Sequence, residues 1–510
     1  MHAILGGYVK LGVRQCMIIW VVLGIGFAVP AVSKFSDPDL WWHLKTGQII
    51  TESGRIPAAD PFSFTCHGKP WVAHEWLSDI VFYSIFHQFG FRGLVFLQAL
   101  LISALFFSIF ILVSRRTKNL PAALIITTLT GLAGIPFWTC RPQLFTYLLL
   151  AGLLILLDNP IHKRKIWLAA PMFALWSNLH GAWIFGYAVM LVVFTDYAIY
   201  AIKGGKRGEA LRLAAVAAIS LAAVLAGPSP MERLTYPLQY ISGAIPSQYV
   251  AEFKSPDFHT LSFMPYQLLI ISLPAAFYLG RKAMRPSQWI LMLGLVHLSL
   301  TSGRHVPLFA IYTAPLLADQ IEFALAKRPA VPVRQEIREF WVLNLILVLL
   351  IPFAVWAKQP SVNDEAHYYK PNIYPAGACN YLKSHPRIGR GRLLNNYNWG
   401  GYIIFHLYPK YLVSIDGRAD VHAEHMVRDL KSIELGAADW KKVLNSISPD
   451  VVLWPVDKPL ASLLRSDPGW RAVYEDKTAV VFVCRENKAA GSTPDGIGRQ
   501  PGVTCLSRPD

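Results

Sequence analysis

The acidic and imidazole side chains of this chain concentrate in one stretch, residues 37–79, between the first two long apolar segments. The chain has only 32 acidic residues in 510, so the concentration is unusual. The stretch contains Asp37, Asp39, His43, Asp60, His74, Glu75 and Asp79. A carboxylate can act as a general base on a hydroxyl group or help to bind a divalent cation. Residues 37–79, called the first loop below, are therefore the candidate catalytic segment.

Two aspartates separated by a proline open the first loop. If a helix begins near Pro38, Asp39 and His43 lie one turn apart on the same face. Asp37 could instead be only a helix N-cap, with Pro38 in the first helical position. A second acid and a nearby histidine exceed what capping requires. We predict Asp37 and Asp39 as the catalytic candidates, with Asp37 as the base. Asp39 and His43 have a supporting role or bind a divalent cation, Mg²⁺ or Mn²⁺.

Other polar residues follow the apolar segments or lie in the first loop, and they are candidates for substrate binding. They are His43, His74, Glu75, Arg141, Asn178, His180, Arg304 and His305. Arginine suits bidentate contact with a phosphate, so Arg141 and Arg304 are the candidates for a lipid phosphate. The alternatives are that both arginines extend towards lipid headgroups, and that His74 and Glu75 are solvated residues at a helix start.

The composition indicates a polytopic membrane protein. Hydrophobic residues make up 54% of the chain and charged residues 16%, and the mean hydropathy is +0.36. So little charge cannot cover the surface of a soluble protein of this length. The net charge of +16 lies in short basic clusters between apolar segments. This pattern is typical of cytoplasmic loops, so we predict no nucleic-acid partner.

A span requires about 20 apolar residues. We predict eleven, at about 14–34, 91–114, 119–137, 142–158, 166–179, 182–202, 210–227, 263–280, 287–302, 305–324 and 340–357. The basic clusters then lie inside, together with the N-terminus, and the first loop and the C-terminus lie outside. The predicted location is the bacterial inner membrane. Residues 1–31 could be a signal peptide, but the long apolar run favours a retained span.

The domain organisation follows from a change in composition near residue 359. Residues 1–358 are predicted as a transmembrane domain that includes an outer catalytic loop, 35–90. Residues 359–487 are predicted as an extracytoplasmic α/β domain, since VLNSISPDVVLWP and YEDKTAVVFV have the pattern of buried strands. Residues 488–510 lack apolar periodicity and are predicted to be disordered. Cys379 and Cys484 could form a disulfide, and no cysteine spacing suggests a zinc site.

An acidic motif after the first span, a long outer loop, many further spans and an outer C-terminal domain resemble the C-type glycosyltransferase superfamily. The likeness is to bacterial protein-mannosyltransferase-like and Rgt-like members. The phrases DPDLWWHLKTG, DPFSFT, GKPWVAHEWL and SIDGRAD carry it. The resemblance implies a polyprenyl-phosphate-linked sugar donor and a first-loop acid acting at the acceptor, here Asp37 or Asp39. A second stretch, NNYNWGGYIIFHLYPKYLVSIDGRAD, is similar to the acceptor-peptide motif region of oligosaccharyltransferases. A β-hairpin with a turn at Gly400–Gly401 explains that stretch better.

The predicted function is transfer of a sugar from a polyprenyl-phosphate donor to an acceptor hydroxyl of a glycan, lipid or protein, with inversion at the anomeric carbon. One alternative is transfer of a whole glycan, as by an oligosaccharyltransferase or ligase. Another is a non-enzymatic transporter of lipids or glycans. The acids within the apolar segments lie near their cytoplasmic ends, so no ion relay crosses the membrane, which counts against a transporter.

Overall fold

The computed structural model describes residues 37–158, 160, 164–241, 251–326, 368–369, 372–389, 391–422 and 424–485. The described chain divides into two compact units. The first contains residues 84–238, 251–326 and 368. The second contains residues 37–83, 239–241 and the described part of 369–485. The first loop therefore packs in the same unit as the C-terminal α/β region.

Up to residue 326 the described chain is almost entirely helical. Its α-helices are α1 Leu40–Ser53, α2 Trp76–Ser114, α3 Leu120–Ala133, α4 Gln143–Leu157, α5 Ala169–Leu179, α6 Trp183–Lys203, α7 Arg207–Val224, α8 Pro230–Ile241, α9 Met264–Gly280, α10 Pro286–Thr301 and α11 Val306–Ala326. Each of the nine spans predicted between residues 91 and 324 coincides with one of these helices. α2 is kinked at Gly90, whose φ of 61° suits glycine.

Among the described residues, four helical segments are long and apolar enough to cross a membrane. They are Trp76–Ser114, Trp183–Lys203, Leu261–Gly280 and Gly303–Ala326. Large apolar side chains such as Ile125, Leu211 and Ile271 are exposed on the helices of the first unit, which suits a lipid surround. The predicted spans at 14–34 and 340–357, and the predicted tail at 488–510, lie outside the described residues. The total of eleven spans and their orientation stay predictions.

Acids at the ends of these helices are paired within the first unit. Asp158 accepts a hydrogen bond from Arg116 at 2.7 Å, and Asp319 lies 2.6 Å from the ammonium group of Lys282. Glu322 accepts from the hydroxyl of Thr117 at 2.7 Å. The acids Asp158, Asp319 and Glu322 are therefore local partners of basic or hydroxyl groups.

The second unit is built around a mixed five-stranded sheet. Its strands are β1 Arg392–Asn395, β2 Leu412–Val413, β3 Val451–Pro455, β4 Trp470–Glu475 and β5 Ala479–Cys484, in the order β2-β1-β3-β5-β4. β1 is parallel to β2 and β3, while β5 is antiparallel to β3 and β4. The helices around the sheet are α12 Ala376–Ser384, α13 Gly400–Leu407, α14 Glu424–Glu434, α15 Trp440–Ile447 and α16 Pro459–Ser466. Side chains from β1, β3, β4, β5, α14, α15 and α16 form one apolar core.

The α/β character predicted for this region is found, with three differences in detail. VLNSI of the predicted strand is the end of α15, because its apolar residues recur with helical spacing, and only Val451–Pro455 is extended. The predicted β-hairpin at Gly400–Gly401 is wrong, since α13 connects two parallel strands there. The suggested Cys379–Cys484 disulfide is also wrong, because Cys379 carries a buried thiol. The predicted boundary at 358/359 and the side of the membrane stay predictions.

Candidate functional site

The two aspartates of the first loop lie at the start of α1. The backbone N–H of Asp39 donates to Oδ1 of Asp37 at 3.0 Å, and the hydroxyl of Tyr374 donates to the Asp37 carbonyl at 3.1 Å. This bond lies in the turn that precedes α1, since the helix begins at Leu40 and its N-cap residue is Asp39. Both aspartates are 8% exposed. Asp37 therefore stabilises the turn through one oxygen, whereas the side chain of the N-cap residue Asp39 makes no capping bond.

Glycines make room for the start of α1 against the C-terminal region. A β-carbon on Gly417 would overlap the carboxylate of Asp39. A β-carbon on Gly401 would overlap the carbonyl of Pro38. The Asp39 carboxylate therefore rests directly on the backbone of Gly417, in the turn Asp416-Gly417-Arg418, called the DGR turn below.

The predicted one-turn spacing between Asp39 and His43 is found, since the N–H of His43 donates to the Asp39 carbonyl at 3.2 Å. The imidazole of His43 is buried, and its Nδ1 lies 2.6 Å from Oδ1 of Asp79. Its Nε2 lies 3.8 Å from Glu75, which lies at the same distance from His74. The side chains of three sequence-predicted residues, His43, His74 and Glu75, are therefore brought into one cluster with Asp79.

Metal binding by Asp39 and His43 stays a prediction. Within the described ranges, no group of three or more His, Cys, Asp or Glu side chains has a geometry that could hold a metal ion.

A buried ion network connects the first loop to the DGR turn. Nε and Nη2 of Arg418 donate to the two carboxylate oxygens of Asp416 at 2.8 and 2.7 Å, and Nη2 also donates to Asp60 at 2.7 Å. The guanidinium lies over the rings of Trp71 and Phe62, at 4.5 and 4.9 Å. Although burial opposes ionisation of Asp416, the charge of Arg418 outweighs it and lowers the pKa of that carboxyl far below its usual range.

Further titratable groups surround this network. His422 lies with Nε2 3.4 Å from Asp416 and Nδ1 3.9 Å from the sulfur of Cys66. Asp420 is partly exposed, and burial raises the pKa of its carboxyl to about 6. Sequence reasoning missed these residues as a cluster. The available signal was the alternation of Asp416, Arg418, Asp420 and His422 at every second position.

The two arginines predicted to bind phosphate lie together in the first unit. Nη1 of Arg141 lies 3.0 Å from Glu252, and Nη1 of Arg304 lies 3.9 Å from the same carboxylate. Arg304 also lies over the ring of Phe253, at 4.4 Å. Burial would raise the pKa of Glu252, but Arg141 and then Arg304 lower it overall. His305 follows Arg304 in the short helical turn Gly303–His305.

Asn178 and His180 make hydrogen bonds that connect helices of the first unit. The Asn178 amide donates to the carbonyls of Ala174 and Ala226, at 2.7 and 2.8 Å. Nδ1 of His180 lies 2.8 Å from the hydroxyl of Thr146. These contacts explain both residues by packing, and a role in substrate binding stays a prediction.

No protein-family model matches the chain, and no curated protein matches it. Two solved structures align with most of it. One is ArnT from Cupriavidus metallidurans bound to undecaprenyl phosphate, with 14% identity and a TM-score of 0.47 over 95% of this chain and 100% of that chain. The other is the arabinofuranosyltransferase AftD from Mycobacteria, with 14% identity and a TM-score of 0.48 over 93% of this chain and 42% of that chain.

The chain is thus similar, at low identity, to these two solved structures.

Proposed function

We propose that this chain is a membrane glycosyltransferase that transfers a sugar from a polyprenyl-phosphate donor to an acceptor hydroxyl. The observation that carries the proposal is the buried carboxylate pair at the start of α1. The Asp37 carboxylate accepts a hydrogen bond from the N–H of Asp39, and the Asp39 carboxylate rests against the DGR turn. The part of the chain that the structure describes has four helical segments long and apolar enough to cross a membrane, so a lipid-linked substrate could be presented from the bilayer.

In the proposed reaction, one of these aspartates removes the proton from the acceptor hydroxyl. The acceptor oxygen forms a bond to the anomeric carbon while the bond from that carbon to the phosphate oxygen breaks. The electron pair leaves with the polyprenyl phosphate, and the anomeric configuration is inverted. The transition state has oxocarbenium character, as in glycoside hydrolysis. The enzyme returns to its starting state when the aspartate releases its proton to solvent.

The donor phosphate is proposed to bind Arg141 and Arg304. Their two positive charges and the negative charge of Glu252 leave one net positive charge, which suits a phosphodiester. The fork of a guanidinium can contact two phosphate oxygens at once. Glu252 would then hold the two arginines in place for the donor.

The proposal also includes the topology, with the first loop and residues 369–485 on the outer side of the membrane. A divalent cation bound by Asp39 and His43 is a further part of it. Removing divalent ions with a chelator and restoring Mg²⁺ or Mn²⁺ tests that part by itself.

The test of the reaction uses the full chain reconstituted in liposomes with polyprenyl-phosphate sugars and candidate acceptors. We expect acceptor-dependent release of free polyprenyl phosphate and a product of inverted configuration. Release of an oligosaccharide from a polyprenyl diphosphate would indicate transfer of a whole glycan. Movement of the donor across the membrane without any release would identify a transporter and contradict the proposal.

A further inference from the structure

The first loop is bonded to the edge of the C-terminal sheet. The N–H of Phe64 donates to the carbonyl of Val413, and the N–H of Val413 donates to the carbonyl of Phe62, both at 3.0 Å. The hydroxyl of Thr65 donates to the carbonyl of Ser414 at 2.7 Å. A short piece of the loop thus pairs with β2 as an additional strand, immediately before the DGR turn.

Arg418 strengthens this connection with its side chain. It bonds Asp416 in its own turn and Asp60 in the first loop, and it stacks on Trp71 of that loop. Arg418, Asp416 and Asp60 are each at most 2% exposed. Removing one partner from a buried ion pair leaves an uncompensated charge, so the three groups fix one another's positions.

Gly417 connects the position of Arg418 with the position of the Asp39 carboxylate. It lies between the two ionised members of the DGR turn, and a β-carbon there would displace the Asp39 carboxylate from its position. Its φ is not in the left-handed region, so this glycine is required by the close contact rather than by backbone conformation.

We propose that Arg418 is a positioning residue that sets the location of the Asp39 carboxylate through Gly417, so that the C-terminal region completes the catalytic site of the first loop. This inference rests on the proposed function. Misplacement of a reacting group by about 1 Å can cost on the order of 10²-fold in rate. Deprotonation of the acceptor hydroxyl therefore depends on correct packing of the C-terminal region against the first loop.

The first test is Gly417→Ala, with Gly208→Ala as the matched control, because a β-carbon at Gly208 would have no neighbour within 4 Å. We expect Gly417→Ala to lower kcat on the order of 10²-fold, with little change in donor KM and a shifted pH–rate profile. The control should leave all three unchanged. A Gly417→Ala variant with normal kcat and pH profile would overturn the proposal.

Arg418→Lys is the second variant, because it keeps the charge but loses the fork and the ring stacking. It should lower kcat and shift the pH profile at near-normal membrane abundance. A fall in activity that only follows abundance would show a merely structural role and contradict positioning.

Thermal stability separates this inference from the proposed reaction. In an Asp39→Ala background the carboxylate is gone, so adding Gly417→Ala should not change the unfolding temperature further. Additive effects would refute the contact between the two positions. If Asp39→Asn and Asp37→Asn both transfer sugar normally, the proposed function fails instead, whatever the stability measurement shows.

Discussion

The buried ion network predicts a specific pattern of stability. Arg418 makes three hydrogen bonds to carboxylates, two to Asp416 and one to Asp60. In Asp416→Ala the guanidinium stays buried with Asp60 as its remaining carboxylate. In Arg418→Met the buried carboxylates of Asp416 and Asp60 lose the guanidinium, while His422 stays 3.4 Å from Asp416. Breaking such a pair costs about 3–5 kcal/mol. In the double variant Asp416→Ala/Arg418→Met one charge of each sign is removed, so the total cost should be less than the sum of the single costs, by about 2 kcal/mol.

The assay is thermal unfolding of the full chain in detergent, followed by tryptophan fluorescence. For a unit of this size, about 1 kcal/mol corresponds to about 2–4 °C, so each single variant should unfold about 6–20 °C below the unmodified protein. Lys458→Met, which removes a half-exposed partner of Glu434 at 3.2 Å, is a surface-pair control and should change little. Single variants within 2 °C of the unmodified protein, or a double variant worse than the sum, would refute the reasoning.

Three other predictions concern separate parts of the chain. Because the fold raises the pKa of Asp420 to about 6, its charged form disfavours folding at neutral pH. Asp420→Asn should therefore raise the unfolding temperature at pH 7, and the difference should vanish below about pH 4, where the acid is protonated in both states; an unchanged difference would contradict the shift. Arg141→Ala and Arg304→Ala should each raise the donor KM, with Lys a poor substitute at either position, and unchanged donor dependence in both Ala variants would dispose of phosphate binding there. Asn178→Ala should lower stability by about 1–3 kcal/mol, because the carbonyls of Ala174 and Ala226 each lose a hydrogen-bond donor, with the donor KM unchanged; a raised donor KM at normal stability would indicate that Asn178 binds the donor.

The apolar runs of the sequence correctly predicted the helices between residues 91 and 324. Each apolar run between residues 91 and 324 became a helix, because a run of that composition must bury its backbone polar groups within itself. The approximate start of α1 could also be predicted, since an aspartate before a proline favours a helix start. The structure begins α1 at Leu40 with Asp39 as its N-cap residue, and Asp37 bonds the N–H of Asp39 in the turn before the helix.

The contacts that complete the candidate site could not be predicted from the sequence in the same way. Arg418 and Asp60 are 358 positions apart, and one sequence has no periodicity that reports a pairing at that distance. Gly400 and Gly401 suggested a turn, but they are required where backbone approaches backbone. A β-carbon on Gly400 would overlap the carbonyl of Ile415. The hairpin was predicted wrongly because glycine occurs where two backbone segments approach closely as well as in turns.

The most direct measurement is sugar transfer by Asp37→Asn and Asp39→Asn at matched membrane abundance. Asparagine keeps the shape, and at position 37 it can still accept the hydrogen bond from the N–H of Asp39, but it cannot take up a proton. Asp257→Asn, at an exposed position in the first unit, is the control. We expect one of the two first-loop variants to lose on the order of 10²–10⁴-fold in turnover, while the corresponding Ala variant loses stability as well. Normal transfer by both Asn variants would contradict the account.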